Sequence, residues 1–276
     1  MTPDQFTELV YVAADGVATI TLNCPGRRNA WSGTMAMEYR WALYCANEDP
    51  AVRAVVLTGA GGDFCVGAHT DNLERIGASG GAYDRHRAAL PPFPEDTPAW
   101  LRHNHCYPLT LGVPVIAAIE GACAGAGFVL ATYADLRWAS SDARIAPSFA
   151  RLGLPAEYGT AWLLARQVGV PNAMELLWSP DVLDGEEAAR LGWVQHTTPP
   201  GAVLEAAVAR ARTLARRSSA LSLASMKRAV IVDAAADLGT AYEQSVTAMN
   251  FALGQADFRR GVAAQRAKSR PDFLAP

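Results

Sequence analysis

The sequence predicts a mixed α/β fold: a layered or spiral β/α core, then an all-helical C-terminal region. Three observations lead there. Short apolar, β-branched runs such as 52–58 and 114–119 alternate with helical patterns in a recurring strand–strand–helix order. Glycine turns stand where strands give way to helices, at Gly67 and at Gly121, Gly125 and Gly127. Past residue 200 the strand patterns stop and helical ones take over, which divides the chain into 1–200 and 201–276. The units are too unlike one another to count as a sequence repeat.

In order, residues 8–13 and 17–23 flank Asp15-Gly16 and read as a hairpin. CPGRRNAWS is a polar loop with two arginines. Residues 33–49 carry a helical pattern, with Met37, Trp41 and Tyr44 on one side. The run 52–58 is a buried strand. A glycine turn follows, then a short strand at 64–66, and Gly67-Ala68 lead into a short helix. Residues 78–112 are the least regular: PPFPEDTP holds four prolines and cannot be a helix interior, so the segment is expected to be lid-like. The strand at 114–119 breaks over glycines into a helix at 128–133. Short strands are expected at 135–140, 144–146 and 193–196, with helices over TAWLLARQVG and 171–178 between them. Four helices are expected after Gly201.

The chain has 276 residues, half of them hydrophobic, enough for a sizeable core. A net charge of −3 argues against a nucleic-acid surface. Cys24, Cys45, Cys65, Cys106 and Cys123 are scattered, odd in number and lack CxxC spacing, which suits a reduced cytoplasm. The first residues lack a basic-then-apolar pattern, so no signal peptide is expected, and no apolar run is long enough for a membrane span.

The chemistry is expected at the glycine turns. A strand that breaks over glycines into a helix leaves free backbone N–H groups at a partly positive helix end, suited to a negative oxygen. Close helix–strand packing explains a lone glycine cluster equally well. FCVGAH and GACAGAG resemble each other, and two such turns face to face would aim two N–H donors at one oxygen, as an oxyanion hole does. No Gly-Lys-Ser/Thr follows for a phosphate loop, and no dinucleotide fingerprint is present for a nicotinamide dehydrogenase. Ser148 and Ser218 lack a G-x-S-x-G elbow. His103 and His105 form one HxH pair without a third ligand, so no metal site is expected. His86 and His196 read as ordinary surface or core histidines. Glu120 and Asp135 beside buried strands are expected to satisfy backbone groups, and Asp184 to cap the helix of GEEAARLG.

In order and spacing these segments resemble the crotonase, or enoyl-CoA hydratase/isomerase, family over nearly the whole chain. CPGRRNAWS resembles the family's P-x-x-x-N-A loop and FCVGAH its F-x-x-G-A-D. PVIAAIEGACAGAG resembles its P-x-I-A-A-x-x-G-x-x-x-G-G-G, and SRPDF its C-terminal K-R-x-x-F. The resemblance implies a spiral of ββα units with a helical tail used for trimerisation, giving a homotrimer or a dimer of trimers. It implies an acyl-CoA thioester substrate, with coenzyme A as part of the substrate and no separate cofactor. The thioester oxygen would sit between the N–H groups of Ala68 and Ala126, beside Gly67 and Gly125. Arg27, Arg28 and Ala30 would lie along the CoA nucleotide, and Lys268 would meet a CoA phosphate. Residues 78–112 would line the acyl pocket.

The chain departs from the two-glutamate hydratases of that family. Their carboxylate positions fall here on Val129 and Phe149. The one carboxylate at a position the family uses is Glu157, in LGLPAEYG, where isomerases place an acid. It reads either as the catalytic group or as a first-turn carboxylate favoured by the helix dipole. Tyr158 orients it or packs beside it. His69 follows the first donor, where the family has Asp, and touches substrate or caps a helix. The expected reaction is a double-bond isomerisation through a stabilised enolate. Hydration or C–C hydrolysis with Glu157 activating water is an alternative, and a non-catalytic acyl-CoA binder is another.

Overall fold

The computed structural model describes residues 1–68, 74 and 89–274. The hairpin expected at Asp15-Gly16 joins β1 (Leu9–Ala14) to β2 (Val17–Leu22), with both turn residues at positive φ (52° and 80°). Left-handed conformation at two successive residues is the turn whose twist matches the strands, and Asp-Gly tolerates it. β2 then begins a parallel run with β3 (Ala54–Gly59), β4 (Val115–Ile119), β6 (Leu136–Ser140) and β8 (His196–Thr198), giving the six-stranded order β1-β2-β3-β4-β6-β8. β3 and β4 are buried on both faces, which is why they read as unbroken apolar runs rather than alternating ones.

A second, two-stranded parallel sheet pairs β5 (Ala122–Ala124) with β7 (Arg144–Ala146). The two sheets alternate along the chain: β4 then β5, β6 then β7. Each pair is a strand in the large sheet, a tight turn, and a strand in the small sheet. Cys65 adds a single bridge to the small sheet through Cys123, so the expected strand at 64–66 reduces to one paired residue. The expected strand at 193–196 is also corrected. Trp193 and Val194 are buried in the core, and the strand is His196–Thr198, beside β6.

The main core lies between the large sheet and helix Gly33–Glu48 together with the helices around residues 126–178. Helix Gly33–Glu48 starts at Ser32, whose hydroxyl accepts from Met35 N at 3.0 Å. Its buried Glu38 accepts from Thr7 N, Thr7 Oγ1, Glu8 N and Leu9 N, so this acid fixes the start of β1. The opposite face of the sheet is covered by helix Val203–Arg217, whose Ala207 and Ala211 pack on Val17, Val56 and Ile116. Small side chains every fourth residue let that helix lie close on the strands.

The described part of the segment expected to be lid-like, 89–112, packs onto this core instead. The Arg40 guanidinium is held between the rings of Phe93 (4.0 Å) and Tyr107 (3.3 Å), and Nη2 donates to the Pro91 carbonyl at 2.9 Å. Leu101, Tyr107, Leu109 and Leu111 are buried, with short turns at Ala99–Leu101 and Asn104–Cys106 leading to the helix Tyr107–Thr110. Residues 78–88 of that expectation, and the short helix expected after Ala68, lie outside the described residues except for Glu74.

Of the remaining C-terminal helices, Ala220–Ile231, Leu238–Leu253 and Ala256–Arg266 bury no residue within the chain. The first of them is anchored by Lys227, whose Nζ donates to Asp135 Oδ2 at 2.7 Å and to the carbonyls of Pro108 (2.7 Å) and Val113 (3.1 Å). Asp135 also accepts from Val115 N, and Glu120 accepts from Gly201 N, as expected of acids beside buried strands.

Candidate active site

Two glycine turns meet where the sheets exchange. Residues 64 and 65 run beside β5: Phe64 N donates to the Glu120 carbonyl (2.9 Å), Cys65 N to Ala122 O (3.0 Å), and Ala124 N back to Cys65 O (2.9 Å). This ladder brings Gly67 against the start of helix Ala126–Thr132. Gly67 is buried at φ +91°, and a Cβ there would stand 3.0 Å from the Ala124 carbonyl oxygen and 3.5 Å from Ala126 N. Only glycine combines that φ with that approach.

The two N–H groups expected to act together lie on these facing turns. Trp31 N donates to the Gly67 carbonyl at 2.8 Å within a parallel bridge between Trp31 and Ala68. In such a bridge Ala68 does not spend its own N–H on Trp31, so that N–H points away from it. Ala126 is the first residue of its helix, after Gly125 at φ +50°, and its N–H has no intrahelical acceptor.

The helix behind the second donor is held firmly. Phe128 stacks on the buried Trp193 ring, with centroids 4.5 Å apart, and Trp193 Nε1 donates to Thr132 Oγ1 at 3.1 Å. The fully buried Arg137 guanidinium donates to the carbonyls of Ala131 (3.1 Å) and Ala134 (2.8 Å) at the far end of the helix. Burial pushes Arg137 down to about 10, so it stays a cation at neutral pH, where a helix C-terminus favours one. In sequence, Arg137 looks like a surface position of a short strand. Its role is visible only in three dimensions.

The P-x-x-x-N-A loop lies against the first turn: Val66 N donates to the Arg28 carbonyl at 3.4 Å, and Ala30 is buried. Asn29 accepts from Cys24 N and donates to the carbonyls of Ala60 and Asp63, which fixes the loop. Arg28 makes two bonds to Asp63 (2.6 and 3.2 Å) and Arg27 one to Glu8 (2.6 Å), while both guanidiniums stay about half exposed. Lys268 is exposed at φ +51°, just past the last helix. The chain after it turns back onto helix Val203–Arg217 through Phe273 N and the Arg216 carbonyl, 2.8 Å apart. His69 and His86 lie outside the described residues.

Val129 and Phe149 are both buried members of the main core, so apolar side chains fill the two positions where a pair of carboxylates would stand. Glu157 is half-buried, and that burial raises its carboxyl above the usual range. It opens a tight turn, closed by Thr160 N donating to its carbonyl at 2.9 Å. Tyr158 follows at φ +53° and is 40% exposed, too open to be a core residue.

Around this turn stands a cluster that sequence reasoning missed. The Tyr133 hydroxyl, at the end of the helix that begins at Ala126, donates to the Tyr158 carbonyl. The His105 ring stacks on Tyr158 with centroids 3.9 Å apart and planes 22° from parallel. Burial lowers His105 to about 4, so its ring is neutral near pH 7. The described residues contain no group of three or more His, Cys, Asp or Glu side chains placed to hold a metal. His196 is exposed and leans on Trp138.

A cleft of about 510 Å³ lies elsewhere. Asn47, Pro98, Leu109 and Ala224 are among the residues that line it. It touches neither glycine turn nor Glu157, and the hydrogen-bond chemistry, not the volume, marks the candidate site.

The family model for enoyl-CoA hydratase/isomerase matches residues 13–275. The chain is 35% identical over 271 residues to a Rhodobacter capsulatus protein named "Probable enoyl-CoA hydratase", covering 95% of this chain and 96% of that one. It is 31% identical to the 1,2-epoxyphenylacetyl-CoA isomerase of Escherichia coli K12, covering 94% and 95%. Among solved structures, an enoyl-CoA hydratase from Polaromonas sp. JS666 superposes with a TM-score of 0.82 at 28% identity, over 95% of this chain and 98% of that one.

Proposed function

The chain belongs to the enoyl-CoA hydratase/isomerase family, and from that premise we propose that it shifts a double bond in an acyl-CoA thioester through a single carboxylate, Glu157. The thioester oxygen binds between the N–H groups of Ala68 and Ala126. Glu157 removes a proton from the carbon next to the thioester, and the electrons pass to that oxygen as an enolate held by the two donors. The same carboxyl then returns the proton farther along the conjugated chain, so the double bond moves and no atom is gained or lost.

The observation that carries this reading is the contrast between buried, apolar Val129 and Phe149 and the half-buried Glu157 with its raised carboxyl. Addition of water calls for two groups, one to activate water and one to supply a proton. A proton shuttle calls for one. One relative is named an enoyl-CoA hydratase and another a 1,2-epoxyphenylacetyl-CoA isomerase, and the carboxylate count here favours a reaction that calls for one group. A purely binding protein has no need for a carboxylate at this position.

The CoA nucleotide is proposed to lie along Arg27, Arg28 and Ala30, with Lys268 meeting a phosphate. The exposed Leu238, Tyr242 and Phe251 of a helix that buries nothing within its own chain support a homotrimer or a dimer of trimers. The test of the function is Glu157→Gln assayed against a panel of 3-enoyl-CoA and 2-enoyl-CoA thioesters. Turnover falls roughly a hundredfold or more while thioester binding is retained. Wild-type turnover by the Gln variant removes Glu157 from the chemistry.

A further inference from the structure

We propose that Tyr133 is a positioning residue, which ties the Glu157 turn to the helix bearing the Ala126 donor and so sets the distance between proton shuttle and oxyanion site. The inference rests on Glu157 and Ala126 acting in one reaction, as proposed above.

One helix carries both ends of the linkage. Ala126 is its first residue, and Tyr133 caps its last turn, about 10 Å farther along the axis at 1.5 Å per residue. That helix does not move freely: Phe128 and Thr132 tie it to Trp193, and Arg137 of β6 donates to the carbonyls at its end. Tyr133 is buried and spends its hydroxyl on the Tyr158 carbonyl, one residue past Glu157. A Cβ at the next residue, Gly159, would stand 3.3 Å from the same hydroxyl oxygen, so the turn lies close against Tyr133 there.

The turn needs such a tie. Tyr158 holds a left-handed φ of +53°, which a bulky aromatic residue adopts only when its surroundings enforce it. Contacts from outside the turn bear on it. Tyr133 takes its carbonyl, and His105 covers its ring. The short turn Asn104–Cys106 supplies that ring and also lays the Cys106 thiol beside the Tyr133 hydroxyl. Positioning matters because proton transfer depends steeply on sub-ångström placement of base and carbon.

The test is Tyr133→Phe, which keeps the buried ring and removes only the oxygen. Two readouts are taken on the full-length protein. The first is amide hydrogen exchange at Thr160, whose N–H closes the Glu157 turn; it is expected to quicken roughly tenfold, with no matching change at Leu130 inside the helix. The second is steady-state turnover of an acyl-CoA accepted by the wild type. There kcat is expected to fall about tenfold while KM stays within twofold, the pattern of a misplaced catalytic group rather than weakened binding. Unchanged Thr160 exchange overturns the proposal. So does an unchanged kcat in Tyr133→Phe when Glu157→Gln has lost turnover, and in that case the Glu157 reading stands without the linkage. If instead Glu157→Gln turns over normally, the function proposed above fails, and quickened Thr160 exchange then shows a structural tie only, which also overturns a positioning role.

Discussion

Arg137 donates to the Ala134 carbonyl at 2.8 Å from a site with almost no solvent exposure. The other acceptors of its guanidinium are also main-chain carbonyls, those of Trp193 (2.5 Å), Ala131 (3.1 Å) and Thr132 (3.4 Å). A buried cation is tolerable there because the C-terminal end of the Ala126 helix offers concentrated negative partial charge.

Replacing Arg137 by Ala takes the donor from the Ala134 carbonyl in a dry site, while the carbonyls of Ala131, Thr132 and Trp193 keep Ala134 N, Gln167 Nε2 and Gln195 Nε2. At about 1–3 kcal/mol for the one group left unsatisfied, plus the space emptied by the buried side chain, a loss of roughly 2–3 kcal/mol is expected. Chemical denaturation read by tryptophan fluorescence measures it. A loss below about 1 kcal/mol would mean that water replaces the guanidinium and that the helix does not depend on it.

The contact of the two glycine turns gives a second prediction. A Cβ on Gly127 would lie 2.2 Å from the Cys65 carbonyl oxygen and 2.9 Å from Cys65 Cβ. Neither neighbour can step aside, because Cys65 is held to β5 through Ala122 and Ala124. Gly127→Ala should therefore push the two turns apart, at a cost of about 1–3 kcal/mol. Turnover should fall more than stability alone explains, since Ala126 moves with Gly127. Normal kcat in a folded Gly127→Ala variant would show that the spacing of the turns is not critical.

Much of this architecture is legible in the sequence because it is local. Asp15-Gly16 and Gly67 each announce a backbone conformation that few residues accept, and the structure shows positive φ at all three. Glu120, Asp135 and Asp184 take the structural roles their positions suggest, Asp184 in a reciprocal cap with Glu187. What escapes a reading of the sequence is what joins distant segments. Tyr133 meets Tyr158 across 25 residues, and nothing in the apolar run around Tyr133 reveals where its hydroxyl is bonded. His105 stands out in the sequence only as half of an HxH pair, whereas its contact is a stack on an aromatic residue far along the chain. The strand at 196–198 is read too early, toward Trp193, because a core-filling tryptophan and valine look like the strand they precede.

Asp63 supplies a prediction on the acid side. Burial alone would raise its carboxyl, but two bonds from Arg28 and one from Ala122 N (2.8 Å) outweigh burial and lower it. A lowered carboxyl in the folded state contributes stability that is fully present above the unfolded value near 4 and is lost as pH falls through the folded value. Asp63→Asn should flatten that acid limb of the stability profile and cost about 1 kcal/mol at neutral pH, since Arg28 is well exposed. Denaturant midpoints taken between about pH 3 and 7 decide it. An acid limb as steep in the variant as in the wild type would assign it to other carboxylates.

Glu157 runs the opposite way, and its sign separates a catalytic carboxyl from a stabilising one. Burial raises its folded-state value above the unfolded one near 4.3. The folded chain then holds the proton more tightly than the unfolded chain. The resulting stability is fully present below about pH 4 and is lost as pH rises through the folded value. At neutral pH the ionised carboxylate is therefore a burden on the fold, a cost that the proposed proton shuttle would explain. Glu157→Gln removes that burden while keeping the shape of the side chain. Its Tm at pH 7 should equal or exceed that of the wild type, and the difference should shrink as pH is lowered toward 4, while turnover is lost. A helix-capping or ion-paired role predicts the reverse: a lower Tm at pH 7 and a gap that closes only as the wild-type carboxylate takes up its proton. Thermal melts of the two proteins at pH 4, 5.5 and 7 distinguish these patterns without any knowledge of the acyl group.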